Sequence, residues 1–225
     1  MTIYWVRTMA TLAELNAFIQ YLNDQYGIAT IGGHTYGEPY VWGAQHMHLT
    51  PSNYEARIHA REAGRGGYKD GTTYEEAAKK YCKRLFDAGL TDLYAYDCSG
   101  LGMYWMYNVS HIYSGDTNAN GMMGRCKLYK DDPERGWWVF HVNSSGRATH
   151  VGYMVDNTYV IEAKGRKYGV TKSKFKRSQW DKWGIPKVWE GVIPEPGQPH
   201  PGHTWSHYTA NYIWYPGGNY FFPPH

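Results

Sequence analysis

A cysteine at the predicted start of a helix, together with a histidine on a later strand, constrains this chain more than any other feature. Residues 97–101 read Asp-Cys-Ser-Gly-Leu, and aromatic residues at positions 104 and 105 extend the apolar helical face that begins at Leu101. Asp97 is typical of a helix N-cap, so we predict that Cys98 lies in the first turn. Backbone N–H groups and the helix dipole favour a thiolate there, and the same groups can stabilise an oxyanion.

The histidine begins a predicted β-hairpin. Residues 148–155 alternate as a strand does, Asp156 and Asn157 are typical of a tight turn, and residues 158–163 form the returning strand. His150 and Glu162 are equally distant from position 156, so we expect them to face each other at roughly 5 Å. Glu162 would then orient the imidazole, the third role in a catalytic triad. The alternatives are an exposed strand carboxylate for Glu162 and a buried core thiol for the cysteine.

Taken together, these motifs resemble the NlpC-type cell-wall cysteine peptidases, which are papain-like. The matching stretches are 97–101, His-Val-Gly-Tyr at 150–153, Tyr-Val-Ile-Glu-Ala at 159–163 and Pro-Tyr-Val-Trp-Gly-Ala at 39–44, with a weaker match over 180–193. The resemblance covers about residues 36–193. It implies an α+β fold in which the nucleophile begins a helix packed on an antiparallel β-sheet. It also implies hydrolysis of peptide bonds in peptidoglycan stem peptides, often next to D-glutamate.

The resemblance also implies roles for individual residues. Cys98 matches the nucleophile, His150 the base and Glu162 the third member of the triad, a position that is often histidine in the family. Tyr40 matches a tyrosine whose hydroxyl lies near the nucleophile and can help the oxyanion. The residues expected to contact the oxyanion or the substrate are Tyr40, Trp42, Asp97 and Ser99. This chemistry requires neither a metal nor a cofactor.

The chain departs from the family in an insertion at residues 45–96, where the family usually has a short loop. Two overlapping capping boxes, Thr72 with Glu75 and Thr73 with Glu76, predict a helix that ends near Gly89. Ahead of it, basic residues recur at four-residue spacing, namely Arg57, Arg61, Arg65 and Lys69. They form either a solvated face or a lid that contacts stem-peptide carboxylates.

We predict a single catalytic domain over residues 1–193, in which residues 1–35 contribute a helix and a loop. A capping box of Thr11 and Glu14 marks the start of that helix. Residues 194–225 form an extension rich in proline, glycine and aromatic residues, predicted to coat the domain or contact wall glycan. Its histidines, His200, His203 and His207, have proline and glycine between them and no cysteine or carboxylate close by, so we predict no metal site.

Charge and cysteine content exclude several classes of protein. The net charge of +3 and a pI near 8.6 suit an anionic cell wall and argue against a dedicated nucleic-acid binder. No apolar run is long enough to span a membrane. The chain has three cysteines, and one of them, Cys98, is the predicted nucleophile. The other two, Cys82 and Cys126, could form a disulfide, but we favour free thiols.

The first residues lack a basic segment followed by an apolar core, so we expect no secretory signal. A phage-type lysin, or an extracellular protein exported by another route, fits that expectation. Two other functions stay open: an amidase or acyltransferase of the same clan acting on another substrate, and a non-catalytic wall-binding module. Rapid reaction of Cys98 with iodoacetamide at pH 6 would argue against the module. The oligomeric state is not predicted.

Overall fold

The computed structural model describes residues 10–193 and residue 196. Helix α1 (Leu12–Gln25) begins at the predicted capping box, in which Thr11 Oγ1 accepts from Glu14 N at 3.2 Å and Glu14 Oε2 accepts from Thr11 N at 2.8 Å. One face of α1 is buried in the core, through Leu15, Phe18, Ile19 and Leu22. A small hairpin of β1 (Ala29–Ile31) and β2 (His34–Tyr36) follows.

The insertion contributes most of a second apolar cluster within the same compact unit as the rest of residues 10–193. Strand β3 (Gln45–Leu49) precedes helices α2 (Tyr54–Glu62) and α3 (Tyr74–Asp87), and the chain returns in β4 (Leu93–Tyr96), which pairs antiparallel with β3. The second of the two predicted capping boxes, Thr73 with Glu76, forms at the start of α3. Cys82 is buried in the apolar cluster that α2 and α3 share.

Strand β4 leads directly into the helix that carries the cysteine. Helix α4 (Cys98–Met103) is buried along its whole length and continues as a π-helix (Tyr104–Val109), where the sequence predicts ordinary α-helix. Helix α5 (Ala119–Gly124) follows. The buried cysteine Cys126 begins the next strand, and both it and Cys82 are free thiols.

Six antiparallel strands form the main sheet. They are β5 (Cys126–Leu128), β6 (Trp138–Val142), β7 (Ala148–Met154), β8 (Tyr159–Gly165), β9 (Gly169–Lys174) and β10 (Lys182–Pro186), and their order is β5-β10-β6-β7-β8-β9. Helices α1 and α4 share one apolar core with this sheet. The predicted α+β class, with the nucleophile helix against an antiparallel sheet, is confirmed.

Among the described residues, no helix combines the length and the apolar character needed to cross a membrane. The 194–225 extension lies outside the described residues except for residue 196, so its predicted role stays a prediction.

Candidate active site

Asp97 fixes the start of the nucleophile helix. Its Oδ1 accepts from Gly100 N at 2.6 Å and from Ser99 Oγ at 3.0 Å, while Oδ2 accepts from Gly43 N at 3.0 Å. Burial raises the pKa of Asp97 above its usual range, although these hydrogen bonds act against that change. Asp97 therefore ties the first turn of α4, and with it Cys98, to the loop that follows Tyr40. Direct contact of Asp97 or Ser99 with substrate stays a prediction.

Close packing around α4 requires glycine at two positions. A Cβ on Gly100 would lie 2.1 Å from the carbonyl oxygen of Ala44, and one on Gly102 would lie 2.5 Å from Tyr153 Oη. The Tyr153 hydroxyl accepts from Gly102 N at 3.1 Å and donates to Cys98 O at 2.9 Å. Tyr153 thus anchors the helix to the sheet. The sequence analysis read Tyr153 only as part of a motif.

His150 and Glu162 form the predicted pair, but in a different register. The hairpin pairs Tyr153 with Ile161 and Met154 with Val160, so it is centred on position 157 and not on 156. The expected direct pairing of His150 with Glu162 is therefore wrong, and the two residues are diagonal neighbours on one face of the sheet. Their side chains still meet, with His150 Nε2 2.6 Å from Glu162 Oε2.

The imidazole lies between the thiol and the carboxylate. Burial by itself would lower the pKa of His150, but hydrogen bonds to Cys98 and Glu162 outweigh it and raise this pKa to about 9. Burial would likewise raise the pKa of Glu162, yet its hydrogen bond to His150 holds it below the usual value. Because Nε2 is bonded to Glu162, Nδ1 is the ring nitrogen left for the thiol. At neutral pH the site therefore holds an imidazolium beside the Glu162 carboxylate.

Two aromatic rings on the sheet flank the imidazole. His141 lies opposite His150 on β6, and its ring stacks on Trp180 with centroids 4.5 Å apart. The His150 ring is nearly parallel to Trp180, at 5.9 Å. Burial and the neighbouring charge of His150 both lower the pKa of His141. The sequence analysis gave His141 no role, because only the β6–β7 register places it beside His150.

Tyr40 and Trp42 form the other side of the site. Tyr40 is buried, and burial raises its pKa, as does the nearby charge of Cys98. The hydroxyl therefore stays protonated, and its predicted role as a donor to the oxyanion stays a prediction. The Trp42 side chain is half-exposed, with the guanidinium of Arg65 5.1 Å from its ring centroid and that of Arg166 5.9 Å away.

A buried ion pair joins the insertion to this side of the site. Glu62, at the end of α2, accepts from Arg166 Nε at 3.0 Å and Nη2 at 2.9 Å, and also from Trp42 N at 2.7 Å. The guanidinium of Arg166 lies 4.8 Å from the ring centroid of Tyr40 and 4.4 Å from that of Tyr74. Neither Glu62 nor Arg166 is predicted from the sequence to lie at the site. Because Glu62 belongs to the insertion and bonds to Arg166 and Trp42, the insertion is part of the scaffold of the site.

The predicted basic ridge is interrupted because α2 ends at Glu62, so that only Arg57 and Arg61 lie in the helix. Arg61 donates to Gly43 O at 3.3 Å, beside the loop that Asp97 holds, and Arg57 donates to His48 O at 2.7 Å. Within residues 10–193, no carboxylate pairs with Arg57, Arg61 or Arg65. The ridge thus borders the site at Gly43 and Trp42, and its action as a lid stays a prediction.

No group of three or more histidine, cysteine or acidic side chains is placed to hold a metal ion in the part of the chain that the structure describes. The histidines of the extension, His200, His203 and His207, lie outside that part.

The sequence model of the NlpC/P60 family matches residues 68–187. No curated protein matches this sequence. Among solved structures, the P60 domain of antigen MAP1204 from M. avium subspecies paratuberculosis is 18% identical with a TM-score of 0.44, over 78% of this chain and 96% of that one. The peptidoglycan hydrolase RipB from Mycobacterium tuberculosis is 17% identical with a TM-score of 0.41, over 76% and 66%. NlpC2 from Trichomonas vaginalis is 19% identical with a TM-score of 0.44, over 81% and 50%.

Proposed function

Because this chain belongs to the NlpC/P60 family, we propose that it is a cysteine endopeptidase that hydrolyses peptide bonds in the stem peptides of bacterial peptidoglycan. Cys98 is the nucleophile, His150 the acid and base, and Glu162 the group that orients His150. The observation that carries this proposal is the position of His150, whose Nε2 lies 2.6 Å from the buried Glu162 carboxylate and whose pKa is raised by Cys98, the first residue of a buried helix. The substrate class, including a bond next to D-glutamate, follows from the motif resemblance.

The reaction runs in two steps. The Cys98 thiolate attacks the amide carbonyl, a C–S bond forms, and the C–N bond breaks as the imidazolium of His150 gives its proton to the leaving amine. A water molecule then attacks the thioester, His150 takes a proton from it, and the C–S bond breaks to release the carboxylic acid and restore the Cys98 thiolate beside the imidazolium. Glu162 stabilises the charged imidazole throughout, since its pKa is held below the usual value and it remains anionic.

Two donors are available to the oxyanion. The first turn of a helix has backbone N–H groups with no partner inside the helix, and Asp97 occupies the one of Gly100. We assign the N–H of Cys98 and the Tyr40 hydroxyl to the oxyanion, the second because its raised pKa keeps the proton in place.

The test is digestion of purified peptidoglycans of several stem types, with the products identified by mass spectrometry. The wild type is expected to release stem fragments whose masses name the bond, and Cys98→Ala to release none while keeping its fold. Cys126→Ala is the matched control, because it also removes one buried thiol but leaves the nucleophile in place.

Two negative results would have different meanings. If no wall is digested while Cys98 still reacts rapidly with iodoacetamide, the endopeptidase proposal is wrong and an amidase or acyltransferase with another substrate takes its place. If no wall is digested and Cys98 is inert, the catalytic proposal as a whole is wrong and a wall-binding module remains.

A further inference from the structure

An open cleft of about 390 Å³ lies on the histidine side of the site. Its lining residues include His150, Lys164, Ser173, Gln179 and Trp180, but not Cys98. The cleft therefore adjoins the proton donor of the proposed reaction. None of residues 39–44, the stretch that supplies Tyr40 and Trp42, lines it.

The cleft is lined by charged and hydrogen-bonding side chains as well as by Trp180. Lys164 is half-exposed, and its Nζ lies 3.6 Å from Glu162 Oε1. That distance makes an ion pair but is longer than a hydrogen bond, so the N–H groups of Lys164 can still donate to a ligand. Glu162 itself is almost fully buried and directs its other oxygen to His150. Ser173 and Gln179 add neutral hydrogen-bonding groups. The cleft thus presents one accessible cation, together with the imidazolium.

The position of the proton donor fixes where the two halves of a substrate lie. In acylation the acyl half stays on Cys98, while the amine half must lie within hydrogen-bond reach of the imidazolium that protonates it. The cleft is an open volume that His150 lines. The stacked rings of Trp180 and His141 give it a flat side against which a peptide can pack.

We propose that this cleft binds the amine half of the substrate and that Lys164 recognises a carboxylate on that half. The inference rests on the proposed function, and it adds a substrate class: stem peptides whose leaving part ends in a free carboxylate, in preference to the same peptides with an amidated end. Lys164 acts in binding, and the bonds that form and break stay those at Cys98 and His150.

Binding to an inactive protein tests the inference without turnover. In the Cys98→Ala background, the affinities of L-lysyl-D-alanine and of its C-terminal amide are measured by calorimetry. A partly exposed ion pair is worth about fivefold in affinity or less, so we expect the free acid to bind about two- to fivefold more tightly. Adding Lys164→Gln should make the two affinities equal. Adding Lys167→Gln, which removes an exposed lysine outside the cleft, should leave the preference unchanged.

Equal affinities before Lys164 is changed, a preference that survives Lys164→Gln, or no binding of either peptide would each overturn the inference. Hydrolysis by the wild type decides the proposed function separately. Hydrolysis of stem peptides at the same kcat/KM with free and amidated leaving parts would overturn the inference and keep the proposed function. Selective binding through Lys164 without hydrolysis would support the cleft assignment and overturn the proposed function.

Discussion

Replacing Glu62 by Gln will destabilise the whole domain and disturb the site at Tyr40. The Glu62 carboxylate is buried and accepts three hydrogen bonds, two of them from Arg166, which is itself only 13% exposed. An amide in its place removes the negative charge and turns an N–H₂ group toward a guanidinium or a backbone N–H. Removing one member of a buried pair costs about 3–5 kcal/mol, because the other charge is left without a partner. For a chain of this length that corresponds to a fall in Tm of roughly 6–20 °C.

The free energy of unfolding is measured by urea denaturation with tryptophan fluorescence. Glu75→Gln is the control, because it also removes a helical carboxylate, but from an exposed cluster with Lys79 and His59, where the expected change is small. A Glu62→Gln protein that unfolds at the urea concentration of the wild type, with the same m-value, would refute the reasoning.

The double variant Glu62→Leu with Arg166→Met tests the cause of the loss. Apolar residues of similar volume can replace a buried pair with little cost, so the double variant should be more stable than Glu62→Gln alone. It should still have reduced kcat/KM on stem peptides, because the cation over the Tyr40 ring is gone. A double variant less stable than the single one would show that packing, and not the unpaired charge, causes the loss.

Three further changes have defined outcomes. Glu162→Gln removes a group that raises the pKa of His150, so the alkaline limb of the kcat/KM profile should move from about 9 to lower pH, with a smaller loss of rate than Cys98→Ala causes. Burial holds the pKa of Glu38 at about 8 in the folded protein against 4.5 when exposed, so the folded state binds the extra proton between these values. The free energy of unfolding should therefore fall as pH rises from 4.5 to 8, and urea titrations should show a flatter profile for Glu38→Gln. Tyr153→Phe removes the hydroxyl bonded to Cys98 O and Gly102 N, and should lower both the denaturation midpoint and the rate of alkylation of Cys98.

Local rules explain the parts of the site that the sequence predicted. The cap by Asp97 depends on residues within one helical turn, and the capping box at Thr73 depends on residues three apart. His150 was placed on a strand by simple alternation. The π-turns after Met103 were missed, because no local signal in the sequence distinguishes them from α-helix.

The hairpin register was predicted wrongly for a physical reason. The prediction centres the turn on position 156, but the Asp156 carboxylate accepts from both Thr158 N at 2.7 Å and Tyr159 N at 2.7 Å, and Val155 N donates to Tyr159 O. This side-chain cap lengthens the loop and moves the centre of the hairpin by one position. The His150–Glu162 contact survives, because diagonal neighbours two positions apart stay on the same face of the sheet.

The Glu62–Arg166 pair shows which kind of information local rules omit. The two residues are 104 positions apart, and neither belongs to a motif or to a helical charge pattern that would single it out. By local rules alone, Glu62 is a solvated charge at the end of a helix with two arginines and two glutamates, and Arg166 is a turn residue after β8. Their burial follows only when α2 packs beside Tyr40 and Trp42, since each then loses water that the other must replace. The insertion is therefore held against the candidate site by the Glu62–Arg166 ion pair, which has to remain intact. A change in the packing of the insertion would first alter the surroundings of Tyr40, whose ring contacts Arg166, and only then those of Cys98.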